Sequence, residues 1–317
     1  MIVPRPCLLA LALLPAAIAA WLLTTAPVAA AAPVRTALAE VTGDGSWRFL
    51  VDLAELWHSR YEPTAEQLAV RPVPGAEARL RAVARGRADF AVVDARTAAE
   101  RLAAYPRLTA VAVLWPNLLH AVTRNPAARE LALAGETEVW VLDSAGFAYD
   151  TLAELARNDP RRQERLYRMP ENLLQDALDY SREPLLVFTA PAPVRELEEL
   201  LRRDAGLRIV PVANKLVEEL KLGHPWLVSE NLGRGAYPGL ERNLELPAVY
   251  QILVGRRDLP APTVHKVLST VYGRSNAMAL FDPLFGQTDG RLNAVFGKLM
   301  PFHAETARRF NFTPSVP

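Results

Sequence analysis

Residues 73–95 read VPGAEARLRAVARGRADFAVVDA, one complete helix-to-strand unit. Ala76, Leu80, Val83 and Ala84 recur at helical spacing and draw one apolar stripe along a helix. Gly86 stands where a left-handed C-cap belongs, because glycine takes a positive φ without a Cβ clash. Phe90-Ala91-Val92-Val93 is then a short, wholly apolar run of the kind a strand shows when both of its faces are covered. The unit predicts an α/β layer.

The flanking sequence repeats that alternation. Residues 34–41 read as a first strand, Thr42-Gly43-Asp44-Gly45-Ser46 as a loop, and 47–60 as a helix with Phe49, Leu50, Leu53, Leu56 and Trp57 on its apolar face. Further strands are expected at 68–73, at 108–115 and 118–123 as two successive elements, and at 139–142, 185–189, 209–212 and 248–254. Helices are expected at 98–104, from 149 to 157, and over 173–180, 194–203, 214–222, 262–274 and much of 291–309. The arginines of 157–168 are interleaved with acids and read as solvated helix faces. Short apolar strands alternating with amphipathic helices argue a mainly parallel sheet covered on both sides. The order predicts two α/β lobes, 34–122 plus 246–317 and 123–245, with a ligand cleft between them.

Composition narrows the function. The 36 basic and 35 acidic residues nearly cancel and form no long run of one sign, so nucleic acid is not an expected partner. Residues 1–31 read as a targeting segment: Arg5 gives a minimal basic start, 7–23 are nearly all apolar, and 27–32 offer small-residue cleavage sites. The apolar run falls short of the roughly 20 residues of a spanning helix, and its extension through Val28 leaves an uncleaved anchor open. An extracytoplasmic chain follows, periplasmic or held at the membrane. Cys7 is the one cysteine, so disulfides and thiolate chemistry are excluded from the mature chain. Five scattered histidines show no metal-binding spacing, and no nucleophile elbow, phosphate loop or dinucleotide fingerprint is present. An enzyme, a metal site and a cofactor are not expected.

Several pieces in order carry a family resemblance. The glycine, helix and Gly86-Arg87-Ala88-Asp89-Phe90-Ala91 strand come first, followed by Val210-Pro211-Val212 with its helix. His224-Pro225-Trp226, Gly235-Ala236-Tyr237-Pro238-Gly239 and Tyr250-Gln251-Ile252-Leu253-Val254 with Arg257-Asp258-Leu259-Pro260 come next. Pro301-Phe302-His303-Ala304 with Arg309-Phe310 closes the series. Together these resemble the TAXI solute-binding receptors of TRAP transporters. The resemblance implies a type 2 periplasmic-binding-protein fold that closes on a small solute, such as an organic acid or amino acid, and passes it to a TRAP-type membrane permease.

The ligand loops depart from that family. Asp44 and Trp47-Arg48-Phe49 add charge and bulk after the first strand, Ala76 and Arg79 replace small polar positions after Gly75, and 143–149 read DSAGFAY. Loops at strand C-termini remain the expected ligand contacts, because helix N-termini there attract anions. Thr42, Gly43, Ser46, Trp47, Arg48, Gly75, Arg79, Asp94, Ser144, Gly146 and Phe147 form that candidate set. Each has a plainer role: Ser46 as a helix cap, Arg48 and Arg79 as surface arginines, Phe147 in packing, and Asp94 facing either the cleft or a helix N-terminus. With the loops so altered, an exported sensory or interaction module on the same fold is the alternative function.

Overall fold

The computed structural model describes residues 33–40, 45–60, 66–133, 137–142, 147–157, 159–170, 176, 184–273 and 283–313. The segment 1–31 lies outside them. None of the described helices is long and apolar enough to cross a membrane.

Strands Val34–Ala39 (β1), Gln67–Pro72 (β2) and Phe90–Asp94 (β3) alternate with helices Gly45–Arg60 (α1), Ala76–Ala84 (α2) and Ala95–Arg101 (α3). At the end of α2, Gly86 takes φ 69°, its N–H bonds the carbonyl of Val83, and the N–H of Arg87 reaches that of Ala82. Both bonds satisfy last-turn carbonyls and turn the chain into β3. The 16-residue β4, Leu108–Thr123, leads to strands Val139–Leu142 (β5), Leu166–Met169 (β6) and Leu185–Ala190 (β7), with helices Phe147–Ala156 (α4) and Pro160–Gln163 (α5) between them. Helix Arg195–Arg203 (α6), strand Arg208–Ile209 (β8), helix Asn214–Gly223 (α7) and strand Leu227–Leu232 (β9) follow. The 13-residue β10, Leu244–Arg256, returns to the first strands. Helices Ala261–Tyr272 (α8), Pro283–Gly286 (α9), Leu292–Phe296 (α10) and Ala304–Phe310 (α11) complete the chain.

One sheet joins all ten strands in the order β2-β1-β3-β10-β4-β7-β5-β6, with β8 on β4 and β9 on β10. In the first half, β2, β1 and β3 are parallel and β10 lies antiparallel beside β3. The second half repeats this, with β6, β5 and β7 parallel and β4 antiparallel beside β7. Each half therefore borrows its fourth strand from the chain arriving from the other. That exchange makes the α/β architecture type 2 periplasmic-binding-protein-like.

Three expectations change. Residues 108–123 form one strand rather than two, because Pro116 is accommodated beside a register shift between Tyr250 and Ile252 of β10. Residues 166–169 form a strand, not a helix face; only Leu166 is buried, and at a sheet edge the charged Arg168 stays in solvent. The tail is two short helices, and between them Pro301 and His303 exchange backbone bonds of 2.8 Å with Ala110. That crossing covers the edge of β4 that carries no strand in the first half. His303 also caps α11, its Nδ1 accepting the N–H of Glu305.

A polar lock closes the second half. His120 on β4 is wholly buried, stacks on Phe188 and has its Nε2 2.9 Å from the Tyr237 hydroxyl. The same hydroxyl accepts the N–H of Val194 at 2.7 Å, tying the 233–240 loop to the end of β7. Burial lowers the His120 pKa to about 4 and raises that of Tyr237 to about 12, so the pair is neutral. The unfolded chain takes a proton that the folded imidazole refuses, so stability falls as pH drops from about 6.5 to about 4, by about 3 kcal/mol. Urea unfolding at stepped pH, wild type against His120→Asn, is expected to show that part of the acid slope vanish in the variant.

Candidate functional site

The ends of β1, β2 and β3 meet the first turns of α1, α2 and α3, and one carboxylate organises the meeting. Glu40, just past β1, has Oε1 3.2 Å from the N–H of Gly75 and Oε2 2.5 Å from Nη2 of Arg79. Gly75 holds φ 83° at the N-cap of α2, a conformation that favours glycine, and its carbonyl accepts from Ala78 and Arg79. Arg79 is 3% exposed; its Nε donates to Val92 O at 2.9 Å and its Nη1 to Val73 O at 3.0 Å. Arg79 is therefore neither a surface arginine nor a free fork. It ties the ends of β1, β2 and β3 together. The helix N-terminus and guanidinium that attract an external anion are filled from within by Glu40.

Neighbouring candidates also have partners inside the protein. Ser46 sits in the first turn of α1 and its Oγ accepts the N–H of Glu40 at 2.9 Å, tying the end of β1 to the start of α1. Asp94 caps its own helix α3, accepting the N–H and hydroxyl of Thr97 at 2.8 Å each. Trp47 is half-buried against the apolar cluster under α1, and Arg48 is exposed. Phe147 opens α4. Thr42, Gly43, Ser144 and Gly146 lie outside the described residues. The structure thus brings Ser46, Gly75 and Arg79 together through Glu40, a residue absent from the candidate set, and leaves Asp94 to its helix.

A second feature lies in the second half, where β4 and β10 run into it. Asn117 and Leu119 of β4, Thr151 of α4, Thr189 of β7, Leu220 of α7 and Val249 of β10 enclose a cavity of about 10 Å³, room for one water. Its wall is apolar, except that Asn117 Oδ1 and Thr151 Oγ1 are buried with no hydrogen-bond partner among the described residues. A buried, unmet acceptor or hydroxyl costs about 1–3 kcal/mol. A void of this size has room for the one water that buried polar groups commonly bind. Sequence offered one signal: Asn117 is the only residue of β4 that is not fully buried, and the only amide in LTAVAVLWPNLLHAVT. Among the described residues no three histidine, cysteine, aspartate or glutamate side chains are grouped as metal ligands.

No family model matches the chain, and no curated protein matches it. Solved structures overlap it loosely. One described as a periplasmic transporter is 12% identical, with 82% of this chain and 88% of that one covered, at TM-score 0.47. A Xanthomonas citri protein bound to ATP is 12% identical, covering 88% and 95%, at TM-score 0.46. The periplasmic VFT2 domain of Bordetella pertussis BvgS is 16% identical, covering 86% and 98%, at TM-score 0.42. No residue correspondence follows from overlaps this loose.

Arg79→Ala is expected to lower stability by about 2–3 kcal/mol, since two strand-end carbonyls lose their donor and Glu40, 40% exposed, keeps only part of its solvation. Arg79→Lys should recover less than half, because one ammonium cannot reach three directions. Equal denaturation midpoints for wild type and Arg79→Ala would show that the tie carries no stability.

Proposed function

We propose that the chain is an exported receptor that captures a small molecule between two lobes, 34–122 plus 246–317 and 123–245, and delivers it to a TRAP-type membrane permease without catalysing a reaction. The observation that carries this reading is the exchange of β4 and β10, the long strands that each half of the sheet takes from the chain arriving from the other. Small-molecule sites favour the meeting of two such halves. The two long strands β4 and β10 support hinged motion, since they are the strands shared by both halves. The apolar 1–31 segment supports export.

The Glu40 carboxylate shapes the choice of ligand. A ligand acid entering at α2 meets a seat already taken, so a carboxylate-bearing solute would place its acid elsewhere, with exposed Arg48 of α1 a candidate cation. The same filled seat favours the second reading, an exported sensory or protein-interaction module that no longer binds a transport-type ligand.

Thermal denaturation of the purified chain against amino acids, organic acids and neutral metabolites separates the two. A true ligand at 100 times its Kd adds about 2.7 kcal/mol. Thr151→Val is expected to hold or raise ligand-free stability, by removing an unmet hydroxyl, and to leave any ligand shift in place, because the void beside it has room for one water only. A broad panel that moves nothing would leave only the second reading.

A further inference from the structure

At the sheet end opposite the Glu40 tie, three segments finish or begin with arginine. Arg85 caps the C-terminus of α2, Arg107 precedes β4, and Arg256 with Arg257 end β10. With Pro106 and Asp258 these four line an open cleft of about 730 Å³. Arg256 is engaged, with Nε 2.9 Å from Asp258 Oδ1 and Nη1 3.8 Å from Asp89. Arg85, Arg107 and Arg257 are exposed and make no side-chain hydrogen bond or ion pair among the described residues.

The negative end of the α2 dipole accounts for Arg85 alone, because that field fades beyond the last turn. Arg107 and Arg257 come from other segments, held side by side by the 2.7 Å bond from the Arg257 N–H to the Arg107 carbonyl. Like charges gathered this way repel unless an anion joins them, and planar guanidinium forks match the oxygens of phosphate in particular. The cleft volume falls within the range of small-molecule sites. We propose that this cleft binds a phosphate group. Two sources present that chemistry: a free phosphate compound, or the headgroups of an anionic membrane. The second has its own support, because β1 starts at this same end of the sheet, beside β3, and the apolar 1–31 segment runs into β1. Polybasic surfaces beside a membrane segment gain from anionic lipid.

The test uses the full chain, an Arg85→Gln/Arg107→Gln/Arg257→Gln variant, and a control that removes equal charge from α6 by changing Arg195, Arg202 and Arg203 to glutamine. Calorimetric titration with pyrophosphate is one arm. Co-sedimentation with phosphatidylcholine vesicles, alone or mixed with phosphatidylglycerol, is the other. Wild type and control should bind pyrophosphate, with affinity falling about tenfold per cleft arginine removed. If instead the gain from phosphatidylglycerol disappears in the cleft variant and not in the control, the headgroup is the source. Cleft variant and control behaving alike in both arms, or wild type binding in neither, overturns the proposal. The three side chains make no hydrogen bond or ion pair among the described residues, so beyond the small dipole contribution of Arg85 their loss should leave the melting temperature little changed. Arg107→Gln alone carries the test if the triple variant melts early.

Discussion

The pairing of β4 with β10 is the constraint on which the other elements depend. Each strand is long because it serves two neighbourhoods: β10 pairs with β3 over 251–255 and with β9 over 244–249, while β4 reaches β7 from Leu118 onward. Both are buried along nearly their whole length, so their sequences are apolar without alternation. Any shift in their register would move the strand ends, and with them the loops of both halves. The extra residue of β4 between Val113 and Pro116, opposite Gln251, and the prolines Pro116 and Pro247 lie near where this ladder changes partners, and there the backbone has fewest bonds to break.

Sequence disclosed the parts whose physics is local. The α2 unit was readable from end to end because helical spacing, a glycine cap and a buried strand run each have a short-range cause, and Gly86 took the predicted positive φ. The edge strand β6 was not readable, since a strand with one buried residue in four carries no apolar pattern. Fusion of 108–123 into one strand depended on β10, a partner from far along the chain. The same divide separates the site residues. Asp94 and Thr97 lie three apart, and their cap is a local matter. Glu40 with Arg79 is a contact between a strand end and the first turn of a helix far along the chain, and no spacing rule announces it.

Glu40 also explains how the altered loops keep their shape. Small polar residues around a helix N-terminus leave its N–H groups to solvent or ligand. Here a carboxylate from the neighbouring strand end supplies the acceptor, and Arg79 balances its charge while holding two carbonyls. The strand ends of the first half are thereby tied to one another from within the protein.

The borrowed fourth strands bear on how the chain is made. When β3 leaves the ribosome, the strand β10 that it must pair with is still to be synthesised, and the segment that covers the edge of β4 follows later still. The first half is therefore left with open strand edges until both have been made, and its native pairs are distant in sequence. Such contacts form slowly, and open edges invite association with other chains. Completion of the first half is consequently a late event, because its fourth strand follows all four strands of the second half in the chain.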